Sequence, residues 1–170
     1  MPRIAESRPP AEPSSPGQKD RYRRILRAAA RHGAERGMER MQMHDVAKDA
    51  GVAIATLYRY FPSKTHLFTA IMSDQVRRVD AATTSLPPGH DPVEAVTGML
   101  NVAMRQLLST PLLAHAMMVS NNNAVAERSD DAQATSFVSV ILRTAGVAVP
   151  DQHQLRLVRL VEQAWYGIII

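Results

Sequence analysis

A single glycine between two short apolar clusters, closed off by a proline, limits what the N-terminal half of this chain can become. In DVAKDAGVAIATLYRYFPSK, residues 45–64, Val46, Ala47 and Ala50 fall at three- and four-residue steps. Gly51 interrupts, and Leu57 and Phe61 resume the step before Pro62. That is the period of a helix face, punctuated by glycine and proline. It predicts a short helix over 43–50, a glycine turn, and a second over 54–61. Neither is long enough to be stable alone, so both need a surface to pack on.

The flanking sequence supplies that surface. Tyr22, Ile25, Leu26, Ala29 and Ala30 recur at helical steps from Lys19 onward, with arginines around the rest and Gly37 where a stop is expected. After Pro62, Ser63 is placed to cap a helix running through Leu67, Phe68, Ile71 and Met72 toward Thr84. SLPPGHDP, residues 85–92, marks the clearest boundary. Beyond it Asp91 and Pro92 open a fifth helix, with Val93, Val96, Leu100, Ala103, Met104 and Leu107 expected on its inner face. A short segment from Pro111, a helix over 125–145 and a last one opened by Asp151 complete the chain. No stretch shows sustained two-residue alternation, so the expected class is all-α. The division is a disordered arm over 1–18, a helical unit over 19–79 that holds the two short helices, and a larger helical unit over 80–170. The proline-rich arm has almost nothing to bury.

Charge separates the two halves. Residues 1–80 carry fifteen Lys and Arg against nine Asp and Glu, whereas residues 81–170 carry five against seven. A basic half beside a mildly acidic one points only the first toward a polyanion. With no cysteine, disulfide and thiolate chemistry are excluded. No window is apolar enough to span a membrane, and the N-terminus has no secretory signal, so a cytoplasmic location is expected. His32, His44, His66, His90, His115 and His153 show no metal-ligand spacing, and no nucleophile motif or glycine-rich phosphate loop is present. Neither an enzyme nor a cofactor or metal protein is expected.

Two short helices around a glycine turn form the helix-turn-helix arrangement, whose second helix enters a DNA major groove. If Val46, Ala47, Ala50, Val52, Leu57 and Phe61 face inward, Thr56, Tyr58, Arg59 and Tyr60 are left outward or at the edge. Hydroxyls and guanidinium groups bond phosphate oxygens. Lys64, first residue of the next helix, sits at the positive end of that dipole, where it costs about 0.3–1 kcal/mol. An external phosphate would explain the placement, and a lysine bending into solvent is the plainer alternative. Ala53 and Gln42 are weak N-caps, so tertiary packing must hold both short helices. The last segment, DQHQLRLVRLVEQAWYGIII, is apolar nearly all round. One face suits its own domain and the other a second copy of the chain, the rival reading being the central helix of a monomer.

MQMHDVAKDAGVAIATLYRYFPSKTHLF, residues 41–68, resembles the DNA-binding domain of TetR-family transcriptional repressors, with A-x-x-A-G-V, T-L-Y-x-Y-F and S-K runs in matching positions. Ala53, Ala55 and Gln42 stand where that family usually has Ser, Gly and Thr. The resemblance implies an Ω-shaped helical homodimer paired through its last two helices. Its C-terminal pocket takes a small molecule whose binding separates the two reading heads from a palindromic operator. It also implies that Gln42, His44, Thr56, Tyr58, Tyr60 and Lys64 contact DNA, mostly its backbone. The chain stops before the family's final helix would begin, which reads as a truncation.

LNVAMRQLLSTPLLAHAMMVSNNNA, residues 100–124, with LVRLVEQAWYGIII, is similar to the branch that controls cholesterol catabolism, the KstR group. That likeness implies a sterol-derived or other acyl-CoA effector. Met99, Met104, Met117, Met118 and Trp165 suit a pocket for an apolar acyl group, and equally suit a core. A helical module binding a protein partner rather than DNA is the rival reading.

Overall fold

The computed structural model describes residues 10–83, 91–127 and 137–167, and these form eight helices with no strand among them. In order they are α1 (Pro16–Arg40), α2 (Met43–Asp49), α3 (Ile54–Tyr60), α4 (Lys64–Thr83), α5 (Pro92–Leu108), α6 (Pro111–Glu127), α7 (Phe137–Thr144) and α8 (Gln152–Gly167). No helix among the described residues is long and apolar enough to cross a membrane. The all-α expectation holds. Most of the 85–92 boundary, residues 1–9, residues 128–136 and Ile168 lie outside the described residues.

α6 runs through the middle, packed on α1 and α4, and so joins the N-terminal helices to the rest. The crossing depends on Gly33. A Cβ there would lie 2.7 Å from Cε1 of Phe68 on α4 and 3.0 Å from Cδ1 of Leu113 on α6. Only a bare α-carbon lets the three helices approach this closely. Nearby, the fully buried Ser120 accepts Thr69 Oγ1–H at its carbonyl (3.4 Å), and its hydroxyl donates to Met38 Sδ (3.7 Å). The Thr69 and Ser120 hydroxyls are thus satisfied across three helices.

Several expected boundaries shift for local reasons. α1 begins at Pro16, not Lys19, because Ser15 accepts a hydrogen bond from Gln18 N–H and Pro16 supplies a ready first turn. The end of the arm is also packed: Ala11 N–H donates to Arg59 O at 3.0 Å, and Ala11 is half-buried against the core. Gly37 breaks the helix as expected, at φ 70°, and one further turn follows it. On α5 the inner stripe is Ala95, Met99, Ala103 and Leu107, whereas Val93 is 72% exposed. The expected face otherwise holds: Ala103 and Leu107 are buried, and Val96, Leu100 and Met104 pack partly buried against the core. α6 is a full helix rather than a short segment; of the predicted 125–145 span, residues 125–127 end α6, α7 takes Phe137–Thr144, and residues 128–136 lie outside the described residues.

Candidate nucleic-acid interface

The two short helices are held from below. Val46, Ala47, Ala50, Leu57 and Phe61 are buried, as their spacing predicts, while Val52 is half-buried. Gly51 turns the chain at φ 62°, a left-handed conformation natural to glycine. From α1, Arg24 Nη1 donates to Ala50 O (2.6 Å) and reaches Gly51 O (3.4 Å), occupying carbonyls that the end of α2 leaves unpaired. Asp49 accepts from Arg31 Nη2 and from Nε2 of the buried His32, both at 2.6 Å. The hydrogen bonds from His32 and then Arg31 hold its carboxyl below the usual range. Neither Gln42 nor Ala53 makes a side-chain cap bond, so these clamps and the core hold the helices, as the weak caps require.

The outer surface divides the candidate residues. Gln42 and His44 are exposed at the start of α2, Tyr58 is 47% exposed, Arg59 is exposed and Thr56 half-buried. Tyr60 is not outward: it is 2% exposed, edge-on to Tyr22 with ring centroids 5.7 Å apart. The three-residue step from Leu57 carries it onto the inner face. Its hydroxyl accepts from Arg59 Nη2 (3.1 Å), and the guanidinium lies 5.0 Å from its ring centroid. Tyr60 thus orients Arg59 from beneath.

Lys64 also has an internal explanation. It is the first residue of α4, but its Nζ donates to Met38 O and Glu39 O, both at 3.0 Å. Those carbonyls end α1, where the dipole is negative, so the unfavourable start of one helix is offset by the end of another. Neither solvent nor an external anion is needed to account for its position. Lys64→Met is expected to lower stability by about 1–2 kcal/mol, two charged hydrogen bonds discounted for partial exposure. Urea denaturation checks this.

In the C-terminal half a cavity of about 40 Å³ lies between Met72, Gln75, Val76 and Val79 of α4, Ala103, Gln106 and Leu107 of α5, Leu113 and Met117 of α6, Phe137 of α7 and Trp165 of α8, with Thr110 beside them. Met117 and Trp165 of the five expected ligand residues belong to this lining. Met99, Met104 and Met118 do not. Met99 and Met118 are buried in the core, where Met99 Sδ accepts from Thr144 Oγ1 (3.5 Å), and Met104 is partly buried against it. Among the described residues no group of three or more His, Asp or Glu is placed to hold a metal.

Residues 25–71 match the model of bacterial regulatory proteins of the tetR family, and residues 89–170 match that of the tetracyclin repressor-like C-terminal domain. The HTH-type transcriptional repressor KstR of Rhodococcus jostii (strain RHA1) is 34% identical over 161 residues, which span 92% of this chain and 74% of that protein. The chain belongs to the TetR family. A crystal structure of a TetR transcriptional regulator from Rhodococcus sp. RHA1 is similar with a TM-score of 0.75 and 38% identity, over 90% of this chain and 84% of that one. Thermus thermophilus FadR, a TetR-family repressor in complex with lauroyl-CoA, shares the fold at a TM-score of 0.65 and 21% identity, over 87% and 80% of the two chains.

As a TetR-family repressor the chain is a DNA-binding helix-turn-helix regulator, and this family is not an enzyme class. The interaction-module reading is set aside. In the TetR fold described here, sequence reasoning missed Arg24 as the clamp on the turn and the His32–Asp49–Arg31 group, for which no spacing rule exists. It also missed Gln75 and Gln106. Each is a polar residue inside an apolar stripe, and that interruption is a readable signal.

Proposed function

We propose that this TetR-family repressor acts as a homodimer on an inverted-repeat operator and is released by an apolar effector of the acyl-CoA class. The observation that carries the DNA half is the outward face of α3. Thr56, Tyr58 and Arg59 stand on a two-turn helix whose other face is buried, and Gln42 and His44 are exposed at the start of α2. Tyr58, Gln42 and His44 bond phosphates and fix register, while Arg59 and Thr56 reach base edges. Lys64 reaches phosphate only with the N–H that Met38 and Glu39 leave over. For the dimer, Leu157, Leu160 and Val161 form an exposed apolar stripe on α8, beside the buried Trp165. That face suits a second copy.

A cavity of about 40 Å³ has room for about three waters at 10–15 Å³ each, far less than a long acyl chain needs. An acyl effector enters only by moving the walls apart. α4 supplies four of the lining residues, and its first residue is tied to the end of α1. Ligand entry therefore biases the helix on which the reading head rests.

The test is selection of binders from random duplexes at fixed salt, followed by lauroyl-CoA added to the selected complex. Enrichment of an inverted repeat, a steep fall of affinity with salt, a raised Tm with lauroyl-CoA and release of the duplex are expected. Unenriched binding would sink the operator reading. Release without any thermal shift would sink the effector reading.

A further inference from the structure

One residue of the cavity lining carries a group at odds with its surroundings. Trp165 is 8% exposed, and its indole Nε1 is buried with no hydrogen-bond partner among the described residues. Indole N–H is a donor only, and buried tryptophans usually satisfy it, because a buried donor without an acceptor keeps its full desolvation penalty. The ring has little freedom to turn toward water. Phe137 lies against it with centroids 4.9 Å apart, and Tyr166 flanks it at 5.5 Å.

We infer that the Trp165 indole N–H is the donor that recognises the carbonyl oxygen of the effector's acyl thioester. This rests on the effector reading above. None of the described lining residues carries a charge. An ionised carboxylate drawn to Trp165 would be buried without a counter-charge, so the acceptor is neutral and the phosphates of the ligand stay outside. The other polar groups of the lining behave differently. Gln106 Nε2 donates to Gln75 Oε1 at 2.9 Å in an exposed bridge between α5 and α4, so both amides are partnered or served by water. Among the described lining residues, only the indole gains an acceptor that neither they nor solvent supply. That gain exists in the liganded state alone, and it is the differential interaction that a ligand-driven shift requires.

The experiment compares lauroyl-CoA with S-dodecyl-CoA, a thioether of the same chain length that lacks the carbonyl, by calorimetric titration of the intact chain. The thioester is expected to bind about tenfold more tightly, as one neutral hydrogen bond allows. In Trp165→Phe, which keeps an aromatic ring and removes the donor, that ratio is expected to fall to about one. Using the ratio separates loss of the donor from loosened packing around the smaller ring. Trp165 is the chain's only tryptophan, so its emission in the intact protein reports contact directly. Equal affinity for the two ligands in the intact chain, or an unchanged ratio in the variant, overturns the role of Trp165 while leaving the effector reading in place. Failure of both ligands to bind overturns the two together.

Discussion

Tyr60→Ala is expected to lower stability by about 3–5 kcal/mol, the range for removing a buried aromatic ring, and to abolish operator binding by melting the reading head. The ring is enclosed by Tyr22 and Phe61 and is 2% exposed, so its loss opens a cavity beneath α3. Tyr60→Phe keeps the ring and removes only the hydroxyl that receives Arg59 Nη2. That variant should stay folded and lose DNA affinity a few-fold, because Arg59 is less well aimed. Urea denaturation beside operator titration separates the two effects. Wild-type stability in Tyr60→Ala together with weakened DNA binding would return Tyr60 to the list of phosphate contacts.

Gly33→Val should cost on the order of 3 kcal/mol. The added atoms meet the ring of Phe68, which is fully buried and has nowhere to turn, and then Leu113. Gly33→Ala brings a Cβ against both but adds no further atoms and gains about 1 kcal/mol of helix propensity, so its net loss is smaller. Gly98 provides the contrast of sign. A Cβ there meets nothing within 4 Å, so Gly98→Ala should raise stability by up to about 1 kcal/mol. Thermal denaturation of the three variants decides. A Gly33→Val chain as stable as Gly98→Ala would mean that α1, α4 and α6 do not cross as closely as described.

The helix-turn-helix was legible because its signals are local. A glycine, a proline and apolar residues at helical steps place Val46, Ala47, Ala50, Leu57 and Phe61 inward without reference to the rest of the chain. Where the reading failed, the deciding contact came from far along the sequence. Lys64 is explained by carbonyls 25 and 26 residues earlier, which no local rule reveals. Tyr60 is the exception: its three-residue step from Leu57 already pointed inward, and Tyr22 on α1 meets it there. The ligand half was less legible still. Five apolar residues were named for it, but any buried methionine on an amphipathic helix has the same signature whether it lines a cavity or fills the core. Only packing distinguishes Met117 from Met118.

The tie between Lys64 and α1 has a mechanical consequence. α4 is 20 residues long, about 30 Å at 1.5 Å per residue. Three of its four cavity-lining residues, Gln75, Val76 and Val79, sit along its second half, and Asp80 near that end is gripped by Arg143 of α7. A tilt of only about 5° pivoted at one end displaces the other by about 2.6 Å over that length. Hydrogen bonds at 3.0 Å fail within less than 1 Å of stretch. A tilt of that size at the Lys64 end would break its bonds to Met38 O and Glu39 O, and with them any proposed phosphate contact made from that end. Stiffness, rather than a large rearrangement, is what the geometry of α4 supplies to a release step.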